Sequence, residues 1–409
     1  MMVKKMKLFK YKNPDQPICY YQTTQQIEIP DQFQSKDFRA LWVSNVVNID
    51  LPTTEDIDTY QKKVMEMLNT CVSYNINAIF FQVRTTNDAF YESKLNPYSR
   101  YLTGKEGRKP PFDVMKWIID EAKKRKIEFH AWCNPYRVSM NASMTAEDYL
   151  KACDDLNFAK QRPDLIVLDK KGQIILNPAK QEVKDFIIKS MVEIAENYDV
   201  DGIHFDDYFY PYAGLDDKIN DLEEFEQRKD LTMTLGDFRR QNVTDVIKGV
   251  NDALKKSSPK VRFGVSPFGI WKNKVNDPKG SNTDPKCSQS YDNQYADAYL
   301  WVKKGYVDYI VPQIYWEFGH AIAPFADILE WWVHLLKGSK IDLYIGHGAY
   351  RLGNEGEFEN PFEIVNQLKY ANQYPVVKGN VFFTYKTFIN KDKSEMGMKE
   401  LKKLLTRQV

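Results

Sequence analysis

Short apolar runs alternate with longer segments whose apolar residues recur every three or four positions, and this alternation repeats from residue 38 to the end of the chain. The first run, Phe38-Arg39-Ala40-Leu41-Trp42-Val43, reads as a strand that stops at Ser44 and Asn45. Val64, Met67, Leu68 and Cys71 then share one face of a helix expected over about 55–74. The unit recurs as Ala78-Ile79-Phe80-Phe81-Gln82-Val83, ending at Arg84, with a helix over about 113–126. Glu128-Phe129-His130-Ala131-Trp132 follows, then a polar region to about residue 180 and a helix over about 181–198. The apolar run from Val200 to Phe205 breaks into Asp206 and Asp207, and a helix is expected near 235–254. Further strands are expected around 261–267, 308–317, 342–346 and 381–385. Their helices fall near 296–304, through Trp331 and Trp332, and near 361–372 and 396–405.

Eight strands separated by eight helices imply parallel pairing, because a crossover of helical length returns the chain to the same end of the sheet. Eight units close a barrel. The expected fold class is therefore α/β, a (β/α)8 TIM barrel with long βα loops. An open doubly wound sheet is the alternative, but it usually carries a Gly-rich turn after its first strand and none is present. Residues 1–36 have mixed polarity, with Pro17 and Pro30, and read as an N-terminal extension lying over a catalytic domain at 37–409.

Barrel chemistry collects at the C-terminal ends of the strands, so those ends are a functional test. They supply Ser44, Asn45, Gln82, Arg84, Trp132, Asn134, Tyr136, Arg137, Asp206, Asp207, Ser266, Gln313, Tyr315, Trp316, Glu317, His347, Tyr350, Thr384 and Tyr385. Within this set Asp206 and Asp207 are adjacent and are followed by Tyr208-Phe209-Tyr210-Pro211. Two neighbouring carboxylates in an aromatic-walled cleft repel, so one should titrate above its solution value and act as a general acid near neutral pH. Solvated turn residues or a helix cap are the plain alternative.

Charge and composition narrow the partners. The 57 basic and 56 acidic side chains leave a formal charge of +1, which provides no field for nucleic acid or an anionic membrane. No run approaches a membrane span, and the N-terminal stretch carries lysines without an apolar signal core. That reads as cytoplasmic, unless a signal was removed or export takes another route. Cys19, Cys71, Cys133, Cys153 and Cys287 lack CxxC spacing, and the five His show no HxH or HExxH, so no cofactor or metal is expected. Aromatic residues make up 14%, and aromatic-lined clefts suit the C–H faces of sugar rings. Oligomeric state is not encoded in these motifs.

Several words occur in order: Phe38 to Val43, Gln82-Val83-Arg84 with Asp88-Ala89-Phe90-Tyr91, and His130-Ala131-Trp132-Cys133-Asn134-Pro135-Tyr136-Arg137. Leu176-Asn177-Pro178, Asp201 through Pro211, Gly264-Val265-Ser266-Pro267-Phe268-Gly269 and Pro312-Gln313-Ile314-Tyr315-Trp316 complete the series. Together they resemble the bacterial glycosyl-hydrolase-like family 10 of (β/α)8 proteins. The resemblance implies a glycoside hydrolase fold and action on glucosamine-containing glycans such as peptidoglycan strands stripped of their peptides. It also implies export or lipid anchoring in many members, from which this chain departs by showing no signal.

Glycoside hydrolysis usually takes two carboxyl groups. Asp206 or Asp207 is the candidate acid, the other orienting substrate or stabilising positive charge. The pair also looks like that of hexosaminidases in which the sugar's own N-acetyl oxygen attacks, with Tyr315 bonding the acetamido group. Glu317 is the candidate for a separate base or nucleophile, with a solvated loop residue as the alternative. Arg84, Asn134 and Tyr136 are candidates to bind sugar hydroxyls or fix the carboxylates. Trp132, Trp271 and Trp316 are candidate stacking platforms, and Tyr208, Gln313, His347 and Tyr385 complete an oligo- or polysaccharide site. His204 is expected to make a barrel-interior hydrogen bond. Two other classes stay open: a non-catalytic carbohydrate-binding barrel, and a metal-dependent deacetylase or phosphohydrolase with Asp206, Asp207 and His347 as ligands.

Overall fold

Alternation along the first strand sends Phe38, Ala40 and Trp42 to one side and Leu41 and Val43 to the other, and both sides are buried. A strand buried on both faces belongs inside a parallel sheet covered by helices. The computed structural model, which describes residues 4–140, 142–390 and 392–407, has that architecture. Its barrel strands are β1 (Phe38–Val43), β2 (Ala78–Arg84), β3 (Glu128–Cys133), β4 (Gly202–Phe205) and β5 (Arg262–Val265). They continue as β6 (Tyr309–Ile310, resumed at Gln313–Ile314), β7 (Asp342–His347) and β8 (Val377–Phe382). Every neighbouring pair is parallel, and the ring closes where β8 pairs with β1. This is the (β/α)8 barrel expected from the alternation. The gap in β6 falls at Pro312, which has no N–H for the ladder.

The outer helices are α1 (Ile57–Ser73), α2 (Val114–Lys124), α3 (Gln181–Asn197), α4 (Leu235–Ser257), α5 (Ala298–Lys304), α6 (Phe325–Leu336), α7 (Glu363–Asn372) and α8 (Glu395–Thr406). Side-chain caps start several of them: Asp56 accepts from Thr59 N at 3.0 Å, and Asp113 from Lys116 N at 3.0 Å. Two apolar layers result, one between strands and helices and one inside the barrel. The inner layer holds Phe38, Trp42, Phe80, Tyr309 and Tyr344, and Gly264 makes room for it, since a Cβ there would meet the Tyr309 ring at 2.1 Å. His204 bonds Ser266 Oγ at 2.9 Å within this interior, as alternation along β4 requires, and burial pushes its pKa well down.

Two features bear on the site from outside the barrel. After β3, where the sequence reads only as polar, short helices lead to an antiparallel hairpin of Ile166–Leu168 and Ile174–Leu176. Its turn is closed by Asp169, which accepts from Lys171 N and Gln173 N, both at 2.8 Å. At the N-terminus, Lys5–Lys7 pairs with Glu28–Pro30, and the segment seats on α6 and α7. Glu330 on α6 accepts hydroxyls from Tyr20 at 2.8 Å, Tyr370 at 2.5 Å and Tyr374 at 2.8 Å. Among the described residues no helix is long and apolar enough to cross a membrane.

Candidate active site

β4 ends at Phe205, and the chain turns at the C-terminal mouth of the barrel with Asp206 and Asp207 only 3% and 6% exposed. Asp206 is gripped from β3 and the loop that follows it. Trp132 Nε1 donates to it at 3.1 Å, Asn134 Nδ2 at 3.0 and 3.2 Å, and the backbone N–H of Tyr208 at 3.3 Å. The Asn134 amide cannot reverse without loss, because its Oδ1 already accepts from Arg137 N at 2.8 Å. Asp207 is held differently. Gln313 Nε2 donates to Oδ1 at 2.9 Å while also donating to Ser266 O at 2.9 Å, and the Tyr212 hydroxyl donates to Oδ2.

Burial raises the pKa of both carboxyls, Asp206 to about 6, with the Arg137 charge opposing that rise and the Asp207 charge adding to it. Packed side by side, the two carboxyls keep a proton between them to a higher pH than either would alone.

The pair faces a cleft of about 470 Å3, walled by Trp42, Trp132, Tyr208, Tyr212, Tyr315, Trp316 and Phe383. Ser44, Gln82, Arg137, Ser266 and Gln313 bring polar atoms to it. Asp206 and Asp207 are the sole carboxylates among its described lining residues. Smaller chambers adjoin on two sides. One, of about 270 Å3, shares Arg137, Met140, Tyr208 and Tyr212 with the cleft, and the other, of about 260 Å3, shares Ile49, Tyr350 and Phe383. An apolar cleft with a few converging polar groups at the strand ends is the usual form of a barrel active site.

The family model for glycosyl hydrolase-like 10 matches residues 37–364. The chain belongs to this family. It is 37% identical over 370 residues to glycosyl hydrolase YngK of Bacillus subtilis, covering 89% of this chain and 71% of the relative. It is 32% identical over 393 residues to glycosyl hydrolase DigH of Escherichia coli K12, covering 90% and 88%. Among solved structures, the PgaB (BpsB) glycoside hydrolase domain from Bordetella bronchiseptica matches with a TM-score of 0.53 at 9% identity, over 92% of this chain and all of that one, a likeness of fold. As a glycosyl hydrolase-like 10 protein the chain is an enzyme of the glycosidase class.

Of the residues singled out in the sequence of this family member, the barrel brings Asp206, Asp207, Trp132, Tyr208, Gln313, Tyr315 and Trp316 to one cleft. Asn134 lies beneath, holding Asp206 and lining the adjoining chamber. Others lie elsewhere. Arg84 is fully buried and braces the loop after β3, donating to Asn134 O at 2.6 Å, Pro135 O at 3.0 Å and Asn87 Oδ1 at 2.7 Å. A register shift between Gln82 and Arg84 turns it behind that loop, while Gln82 faces the cleft. Tyr136 and Tyr385 are core residues, and Trp271 stacks on Tyr299 and Trp331 with Nε1 on Asp297 at 2.9 Å. Phe209 and Tyr210, read as cleft walls, are buried, and Tyr210 donates to Asp221 at 2.9 Å.

Glu317 is absent from the cleft lining and points toward Gly356. His347 is fully buried, its nitrogens engaged by Gln367 Oε1 at 3.0 Å and Asn380 Oδ1 at 2.9 Å, so it does not join the Asp pair as a metal ligand. Tyr212 and Trp42 entered no candidate set, although Tyr212 extends the aromatic flank past Pro211 and Trp42 ends the alternation of β1. Arg137 was visible only as a strand-end residue. Its guanidinium lies 4.3 Å from the Tyr208 ring centre.

Proposed function

We propose that the enzyme cleaves glycosidic bonds within glucosamine-containing glycans, such as peptidoglycan strands free of peptides. In this reading Asp207 is the general acid and the substrate's acetamido oxygen is the nucleophile. The observation that carries it is the carboxylate inventory of the cleft, which ends with Asp206 and Asp207 on one strand end. A protein nucleophile or a base-activated water needs a second carboxylate about 5 to 9.5 Å across the site, facing the acid. With Glu317 elsewhere, the substrate supplies that group.

Hydrogen bonding supports one division of the two roles. Every donor to Asp206 is an N–H, which cannot accept, so a proton on Asp206 would confront one of them. The Tyr212 hydroxyl on Asp207 can turn and accept. The shared proton therefore sits on Asp207, and Asp206 is the ionised partner. In the first step Asp207 gives its proton to the leaving oxygen as the bond from that oxygen to C1 breaks, and the acetamido carbonyl oxygen bonds to C1. Asp206 accepts the acetamido N–H and offsets the positive charge of the oxazolinium ring, while Tyr315 donates to the acetamido oxygen. Water then adds to C1 as the bond from C1 to the acetamido oxygen breaks and restores the acetamido group, and the water gives a proton to Asp207, so configuration is retained.

Chambers on two sides of the cleft give the chain room to continue past the cleaved bond, which supports cutting within a strand. A cell-wall substrate also requires the enzyme to work outside the cytoplasmic membrane. The test is hydrolysis of peptide-free peptidoglycan strands, chitin oligomers and plain glucans by the wild type, Asp206→Asn and Asp207→Asn. Cleavage restricted to the N-acetylated glycans and lost in both folded variants is expected. Equal cleavage of plain glucans would overturn the substrate-assisted route, and binding without cleavage would leave a carbohydrate-binding barrel.

A further inference from the structure

The turn after β1 brings Ser44, Val46, Val47 and Ile49 to the cleft. Within it Val47 and Asn48 both take left-handed backbone, at φ 48° and 52°. Asn48 suits that conformation, and its amide donates to Leu51 O at 3.0 Å and Tyr101 O at 2.7 Å. Val47 does not. A branched side chain crowds its own backbone there, and among the described residues no other β-branched residue has a positive φ. Such a residue lowers the folding equilibrium about 10-fold.

Two clamps hold the turn in this shape. Gln82 Oε1 accepts from Asn45 N at 3.0 Å and Val46 N at 2.9 Å, while Asn45 Nδ2 donates to Gln82 O at 2.6 Å. Asp50 Oδ2 accepts from Ser44 N at 2.6 Å, and Oδ1 accepts from Thr384 Oγ1 at 2.8 Å and Lys386 N at 2.7 Å, which ties the turn to the chain just past β8. The fold gains little in return from the Val47 side chain. It is 52% exposed on the wall of the cleft, where glycine or asparagine would suit the backbone better. An apolar group held in solvent by a strained, firmly clamped turn has its use in a bound ligand. We propose that Val47 is a specificity-determining residue whose isopropyl group packs on a C–H surface of the bound glycan, either the face of a sugar ring or the methyl of an acetamido group. The inference rests on the glycosidase reading above and adds a contact that holds the substrate equally before and during bond cleavage.

Urea unfolding and kinetics on chitin oligomers and peptide-free peptidoglycan strands test the contact together. Val47→Gly and Val47→Asn should raise the urea midpoint and also raise KM about 5- to 15-fold, with kcat within about twofold, because two methyl groups leave the contact. Val47→Ala keeps most of the backbone penalty, so its midpoint should stay near that of the wild type while its KM rises as far. That variant separates a lost contact from a loosened turn. Oligomers with N-formyl in place of N-acetyl keep the carbonyl oxygen but lack the methyl. An effect of Val47→Ala that persists on them names the ring face, and one that vanishes names the acetamido methyl. An unchanged KM in all three variants, or a midpoint that falls in both Val47→Gly and Val47→Asn, overturns the proposal. Should the wild type cleave none of these glycans, the glycosidase reading fails instead. The contact is then read from the Kd of the same oligomers, which the three substitutions should raise by the same factor, and an unchanged Kd overturns it.

Discussion

Asp206→Asn should make the protein more resistant to rising pH, by an amount the burial of the site sets. Moving a carboxyl from 3.8 to about 6 costs the folded state about 3 kcal/mol once the group is ionised. The sign follows from proton binding. Between these values the folded chain holds the proton shared by the Asp206–Asp207 pair more tightly than the unfolded chain does, so stability from the pair is complete below pH 3.8 and is lost as pH rises through about 6. Asparagine keeps an acceptor oxygen for Trp132 or Asn134 but has no proton to lose. Urea unfolding of both proteins at about pH 4 and about pH 7 should therefore show the variant gaining about 2 to 3 kcal/mol on the wild type at the higher pH. Glu363, raised to about 8, and Asp50 and Asp327, each raised to about 6, titrate in both proteins and cancel in the difference. A difference that is the same at both values, or that falls as pH rises, would refute the claim that the Asp206–Asp207 pair loses its shared proton against its burial.

Tyr212→Phe removes a hydroxyl that lowers the pKa of Asp207, so the basic limb of the pH–rate profile should move to higher pH, as measured by kcat/KM across the range. Arg84→Met should destabilise the fold by about 3 kcal/mol or more, because the carbonyls of Asn134 and Pro135 lose a buried charged donor. Denaturant midpoints would reveal it, and an unchanged midpoint would contradict a bracing role. Glu317→Gln should keep kcat/KM within about threefold of the wild type, since the side chain lies outside the cleft, whereas loss of a general base typically costs about 100-fold or more.

Much of the fold was legible because parallel barrel strands are buried on both faces and their helices are amphipathic, so the alternation from Phe38 to the last helix appears directly in hydrophobic spacing. The hairpin after β3 was not read, although Ile166–Leu168, a turn with Asp169 and Gly172, and Ile174–Leu176 carry its signal within a mostly polar region. Strand ends gave the level of the site but not the direction of each side chain. Arg84 and Gln82 stand two residues apart, yet a register shift sends one behind a loop and the other to the cleft. Trp271 and His347 follow β5 and end β7, and packing against α6 and α7 takes them away from the mouth. The Asp pair was readable because a buried strand ending in two carboxylates leaves few structural uses for both.

The division of labour between the two carboxyls is tested most directly by changing the leaving group. An N-acetylglucosaminide with a dinitrophenyl leaving group needs no proton to depart, so Asp207→Asn should recover most of its lost kcat/KM on that substrate while remaining inactive on an oligosaccharide. Asp206→Asn should stay impaired on both, because the oxazolinium ring still lacks its carboxylate. Recovery in Asp206→Asn but not in Asp207→Asn would contradict the assignment.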